Sequence, residues 1–89
     1  MATLASRPDP LSMELAGAIH WARVSHPSMR EFAGGLRLAM GWSSLSHASI
    51  YAWEAGTTRI PAAALVAAAR MLGLSVDQLL ERSRPSSRG

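Results

Sequence analysis

Few side chains in this chain of 89 residues could perform chemistry, and their spacing does not favour catalysis. The three histidines are His20, His26 and His47, and cysteine is absent. No two histidines stand at the i, i+4 spacing of a helical metal site, and no nucleophile motif is present. The pair Gly34-Gly35 lacks the spacing of a phosphate-binding loop. We therefore expect no enzymatic activity, no metal or other cofactor, and no small-molecule substrate.

The basic residues are all arginine and outnumber the acidic residues nine to six, which gives a net charge of +3. A basic excess favours a polyanionic partner, although Arg82, Arg84 and Arg88 lie in the C-terminal tail. The longest strongly apolar stretch, residues 60–74, is interrupted by Arg70 and is too short to span a bilayer. The N-terminus lacks the order of a secretory signal. We expect a cytoplasmic protein without membrane contact. The absence of lysine together with sixteen alanines is typical of a GC-rich bacterial genome, so we also expect a bacterial source.

The chain has the size of one small domain, and its strand signals are missing. We predict a compact, five-helix, all-α domain over residues 10–81, with disordered segments at 1–9 and 82–89. The first helix begins with Asp9 as N-cap and Pro10 at the first helical position, and it stops before the His-Pro pair. Its apolar stripe consists of Leu11, Leu15, Ala18, Ile19 and Ala22.

The second predicted helix begins at Ser28, which has the spacing of a capping box with Glu31. Its end is harder to place, because Gly34-Gly35 weakens a helix by roughly 1 kcal/mol per glycine relative to alanine. The apolar pattern nevertheless continues to Met40. We therefore place the break at residues 41–44.

Clear capping signals mark the remaining helices. The third is predicted from Ser46 to Ala55, with Gly56 as its C-terminal cap and with Ile50 and Trp53 turned inward. The signals for the last two are Pro61 and Gly73 around the fourth helix, and the spacing of Ser75 and Gln78 at the start of the fifth.

Three motifs in the C-terminal half occur in a characteristic order. Residues 53–56 read Trp-Glu-Ala-Gly, a short polar loop then leads to Pro61, and residues 72–80 read Leu-Gly-Leu-Ser-Val-Asp-Gln-Leu-Leu. Together they closely resemble the lambda-repressor-like (XRE) helix-turn-helix family, whose recognition helix ends in Trp-Glu-x-Gly and whose domain closes with Leu-Gly-Val-Ser-x-Asp-x-Leu-Leu. The resemblance extends more faintly upstream and covers about residues 15–81. It implies a lambda-repressor-like fold.

The resemblance also implies an ion pair between Arg23 and Glu54 that ties the first helix to the end of the recognition helix. A physical reason supports it, because a carboxylate beside Trp53 would be costly to bury without a cationic partner. This pair is expected to stabilise the fold and to take no part in chemistry.

The sequence departs from the family pattern at two places. Eight residues separate Leu36 from Leu45, where the family usually needs about one, so either the second helix or the turn is longer. Trp42 lies in this extra segment and either covers the turn or faces a partner. The second departure is Met29, which replaces a glutamine that often meets phosphate in the family.

The family function is DNA binding, with the recognition helix in the major groove. The candidates for base contacts carry hydroxyl groups, an imidazole and a tyrosine ring, and the tyrosine ring can contact a thymine methyl group or a phosphate. These residues are Ser46, His47, Ser49 and Tyr51. Residues at a helix N-terminus and in the polar loop are the candidates for phosphate contacts: Ser28, Arg30, Thr57, Thr58 and Arg59. The sequence thus predicts a sequence-specific transcriptional regulator, a repressor by family habit, that binds double-stranded DNA as a homodimer.

The candidate DNA-contacting residues also have plainer interpretations. His47, Arg30 and Arg59 could be ordinary solvated side chains, and Tyr51 could pack at the rim of the domain. The predicted recognition helix contains no Arg, Lys, Asn or Gln, which are the residues that most readily make bidentate base contacts. A helix-turn-helix fold can also serve as a protein-interaction module, or as an antitoxin-like regulator that binds a protein partner.

Overall fold

The computed structural model describes residues 10–84, which form five α-helices and no strand. The helices are α1 (Pro10–Val24), α2 (Met29–Met40), α3 (His47–Ala55), α4 (Ala62–Met71) and α5 (Val76–Ser83). The predicted all-α class and the number of helices are confirmed. Helix α5 continues two residues beyond the predicted domain end at residue 81. The expected N-terminal segment, including its N-cap Asp9, and residues 85–89 lie outside the described part.

Serine side chains cap three of these helices. The Oγ atoms of Ser28, Ser46 and Ser75 each accept a hydrogen bond from the backbone N–H three residues later. At Ser75 the Gln78 side chain returns a bond to the serine N–H, which completes the predicted capping box. At Ser28 the described contacts include only the bond from the Glu31 N–H, so this predicted box is half formed. An N-cap serine is sufficient to start a helix without its partner.

The eight residues between Leu36 and Leu45 lengthen both the second helix and the turn. Helix α2 runs on to Met40 and ends at Gly41, whose φ of 72° is a left-handed conformation that glycine adopts without strain. The connection to α3 then takes the six residues 41–46. A Cβ atom at Gly35 would lie 2.5 Å from the Met71 methyl carbon of α4, the end of a flexible side chain. Gly35 therefore lies where α2 packs against α4.

The core lies between α1 and the other four helices, and each of these four contacts α1. Its largest fully buried side chains, by volume, are Phe32, Ile19, Leu36, Ile50 and Leu79. Helix α4 adds small buried side chains, which are Ala64, Ala67, Ala68 and Ala69. Alanines allow helices to pack closely, so the apolar face of α4 is largely used within the domain.

One core prediction is wrong. Leu11 was expected on the buried stripe of α1, but it is 61% exposed. The reason is its place in the first turn, because the buried part of α1 begins only at Ala16. Leu15, one turn later, is partly buried against the core as expected.

Within residues 10–84, no single helix has the length and apolarity needed to cross a membrane. Helices α4 and α5 would meet that criterion of length and composition only if taken together as one segment, bent by 81° at the break between them.

Candidate nucleic-acid interface

Helix α3 has one buried side and one exposed side. Ile50 is fully buried and Trp53 is 5% exposed, and both belong to the core. On the other side, His47 is exposed and the Tyr51 side chain is 52% exposed. The core contacts therefore fix α3 with the predicted base-contacting side turned away from the domain.

Two of the predicted base contacts are also engaged within the helix. The Ser46 Oγ accepts a hydrogen bond of 3.1 Å from the Ser49 N–H, and the two hydroxyl oxygens lie 3.0 Å apart. Because each hydroxyl has one proton and two lone pairs, both serines retain further hydrogen-bonding capacity. The cap orients them, and it leaves His47 and Tyr51 as the more exposed candidates.

Of the residues predicted to contact phosphate, two have hydroxyl groups bonded within the domain and two are exposed arginines. The Ser28 Oγ caps α2, and the Thr57 Oγ1 donates to the Ala52 carbonyl at 3.2 Å. Arg30 and Arg59 are exposed, and within residues 10–84 neither side chain makes a hydrogen bond or an ion pair. Thr58, in the loop after α3, is also exposed. The two arginines are thus the residues of this set with charge available to an anion.

Arg23 and Glu54 form a bidentate ion pair between α1 and α3. The Arg23 Nε donates to Glu54 Oε2 at 2.5 Å, and its Nη2 donates to Glu54 Oε1 at 3.0 Å. The exposed fractions of the two side chains are 21% and 10%. Two parallel bonds fix the guanidinium and the carboxylate in one plane, so the pair ties α1 to the C-terminal end of α3.

His20 is a third member of this cluster, and the sequence did not single it out. Its Nδ1 lies 2.9 Å from Glu54 Oε1. Because an ionised carboxylate only accepts hydrogen bonds, this contact is a hydrogen bond in the tautomer that carries its proton on Nδ1. The spacing of His20 and Arg23, one helical turn apart on α1, could have revealed the shared face.

The environment of Glu54 has opposing effects on its pKa. Burial raises the pKa, whereas the hydrogen bonds from Arg23 and His20 and their positive charge lower it, and the net pKa lies below the ordinary 4.5. The hydrogen bond to Glu54 in turn raises the pKa of Arg23. The one acidic group of α3 is therefore ionised near neutral pH and is paired with the Arg23 charge, which reduces its repulsion of an approaching polyanion.

Arg23 also lies over the ring of Tyr51. Its Cζ atom is 5.4 Å from the ring centroid, which is within the range of a cation–π contact. Trp42, by contrast, has no such partner in the described residues and is 38% exposed. Its backbone carbonyl accepts a bond of 3.3 Å from Arg37 Nη1, but its ring has no assigned role.

The described residues contain no group of three or more His, Cys, Asp or Glu side chains that could hold a metal ion. Comparison of the chain with protein-family models, with curated proteins and with solved structures finds no match. The motifs of the chain and the geometry of α3 are therefore the features that indicate a function.

Proposed function

We propose that this chain is a sequence-specific DNA-binding regulator of the lambda-repressor-like type, with α2 and α3 as its helix-turn-helix. The single observation that carries this proposal is the orientation of α3. Ile50 and Trp53 anchor the helix in the core, while His47 and Tyr51 remain exposed on its other side. A helix held in this way offers a free polar ridge to a groove.

The dimensions of α3 suit the major groove of B-DNA. Nine residues span about 14 Å at the rise of an α-helix, and the groove is about 12 Å wide. The N-terminal part of a recognition helix reaches the base edges, and in α3 this part carries Ser46, His47 and Ser49. Tyr51 follows one turn after His47 and completes the proposed contact set.

Arg30 and Arg59 are proposed to bind the phosphate backbone. Both side chains are exposed and unpaired within the described part of the chain. Arg30 lies in the first turn of α2, and Arg59 lies in the loop after α3. Phosphate contacts position a protein without selecting a base sequence. We further propose a homodimer on a pseudo-palindromic operator, because the family resemblance implies this arrangement and two copies double the number of groove contacts.

Binding to duplex DNA at several salt concentrations tests the proposal. A pool of random duplexes, selected by retention on the protein, should yield a preferred site, and affinity should fall steeply with salt. Arg59→Ala should weaken binding to all duplexes alike and reduce the salt dependence, whereas His47→Ala should change the preferred sequence. Arg70→Ala, on the exposed side of α4, is the matched control and should change neither property.

A chain that shows no retention on random duplex or heparin at low salt would contradict the proposal. Such a result would favour the second candidate, a protein-interaction module built on the same fold. The observation that favours this candidate is the composition of α3, which lacks Arg, Lys, Asn and Gln. Equal effects of Arg59→Ala and His47→Ala on every sequence would contradict the separate roles of the two residues.

A further inference from the structure

Arg23 interacts with two different groups through two different parts of its guanidinium. Its Nε and Nη2 donate hydrogen bonds to the Glu54 carboxylate, and its Cζ atom lies over the Tyr51 ring, 5.4 Å from the ring centroid. The two interactions are compatible because the N–H groups bind the carboxylate while the positive charge attracts the π-face of the ring. Arg23 therefore connects a core-facing ion pair to an exposed side chain of α3.

The position of the guanidinium is determined from a second direction. His20 Nδ1 binds the same Glu54 Oε1 atom that accepts a bond from Arg23 Nη2. Glu54 is thus bonded to two residues of α1, and its side chain is only 10% exposed. A carboxylate held at both oxygens has little freedom to rotate, so the guanidinium that it binds is held over the Tyr51 ring as well.

The Tyr51 ring is contacted by Arg23 on one face, and much of the side chain is exposed to solvent. One face of its ring meets Arg23, yet the residue remains 52% exposed. Within residues 10–84 its hydroxyl makes no hydrogen bond. An aromatic side chain fixed before binding loses less rotamer freedom when it meets a ligand, so the support increases the affinity of the contact that the free face makes.

We propose that Tyr51 makes an apolar contact with a thymine methyl group at one operator position, and that Arg23, held by Glu54 and His20, is a positioning residue for this contact. The inference rests on the proposed DNA-binding function and adds a base class to it. The C5-methyl group of thymine is the apolar feature of the major groove, and an exposed ring face is a suitable surface for it. Arg23 itself need not touch DNA.

Replacement of thymine by uracil tests the contact, since uracil lacks only the methyl group. In the selected operator, one thymine at a time is replaced, and the ratio of the two dissociation constants is measured. For the unaltered protein, we expect about a four-fold loss of affinity at one position of each half-site, the value of one buried methyl group. Tyr51→Ala should bring this ratio close to one.

Arg23→Lys separates positioning from stability. Lysine keeps a positive charge for Glu54, but its ammonium group cannot form the planar fork or stack on the ring. We expect the thymine-to-uracil ratio of this variant to fall to about two-fold, because the Tyr51 ring is then no longer held by the guanidinium. In the Tyr51→Ala background the same substitution should have no further effect on the ratio. Arg70→Lys is the matched control and should leave it unchanged.

An NMR measurement of the free protein examines positioning without DNA. Side-chain couplings of Tyr51 should show one dominant χ1 rotamer in the unaltered protein and rotamer averaging in Arg23→Lys. Averaging in the unaltered protein would overturn the positioning role of Arg23.

The outcomes distinguish this inference from the proposed function. Absence of any preferred duplex would overturn both. A preferred duplex whose thymines can all be replaced by uracil without loss would overturn the inference alone, and so would a uracil effect that persists in Tyr51→Ala. A loss that Arg23→Lys causes equally at every thymine would reduce Arg23 to a structural residue and would likewise overturn its positioning role.

Discussion

The two ends of α3 are stabilised in different ways. At the N-terminus, Ser46 caps the helix through a bond to Ser49, only three residues away. At the C-terminus, Trp53 is buried in the core and Glu54 is bound by His20 and Arg23, which lie 34 and 31 positions earlier. The first end depends on local hydrogen bonds, and the second depends on the tertiary fold. Changes near Trp53 should therefore affect the domain much more than changes near Ser46.

Trp53→Ala is the strongest test of this difference. Truncation of a buried tryptophan costs about 3–5 kcal/mol, because apolar burial is lost and a cavity remains. This is a large fraction of the free energy of unfolding of a small domain, about 5–15 kcal/mol. Denaturant unfolding followed by circular dichroism should show a greatly reduced midpoint. Trp42→Ala, at the 38% exposed tryptophan, is the control and should cause a much smaller loss. Equal losses of stability in Trp53→Ala and Trp42→Ala would contradict the proposed difference between the two ends of α3.

Glu54→Gln should have the next largest effect. The substitution removes the charge that Arg23 and His20 share but keeps a side chain of similar shape. Because Arg23 is partly exposed and can be solvated, we expect a loss of about 1–2 kcal/mol in the free energy of unfolding, below the value for a fully buried pair. Glu31→Gln, at an exposed acid of α2, is the matched control and should change stability little.

The pH dependence of stability in the Glu54→Gln variant tests the same contact at the C-terminal end of α3. The pKa of Glu54 in the folded protein lies below its ordinary 4.5, so its ionised form stabilises the fold. This contribution is fully present above pH 4.5 and is lost as the pH falls through the lowered pKa of the folded state. The stability difference between the unaltered protein and Glu54→Gln should shrink over this acidic range. A difference that stays constant down to the lowest pH at which the protein folds would contradict the assignment.

Ser46→Ala should have the smallest effect of the three on stability. Loss of an N-cap serine costs about 1 kcal/mol, because one free amide of the first turn loses its partner. Thermal unfolding is a suitable measurement, with Ser44→Ala in the exposed connection as the control. A loss larger than that of Glu54→Gln would mean that the N-terminal end of α3, and not its contact with α1, fixes the helix.

Most helix boundaries could be predicted because they depend on neighbouring residues. The serine caps and the glycines Gly41 and Gly56 act within one turn, and the helices start or end beside them as expected. The position of Leu11 could not be predicted in this way. Its spacing places it on the apolar stripe, but burial also requires another helix above it, and no local pattern contains that information.

The candidate interface shows the same division. The exposed side of α3 follows from the inward positions of Ile50 and Trp53, which the 3.6-residue period already indicates. The contact of His20 with Glu54 and the place of Arg23 over Tyr51 join residues that are distant in sequence. Their types suggest possible partners, but only the packing of α1 against α3 selects them.

The sequence by itself determined the all-helical class, the capping residues and the apolar faces, because these depend on interactions within a few residues. The tertiary structure alone decided the three-residue cluster around Glu54 and the contact of Arg23 with Tyr51. The physical reason is that hydrogen bonds and stacking act over a few ångströms. Groups 30 positions apart come within that range only after the core has formed.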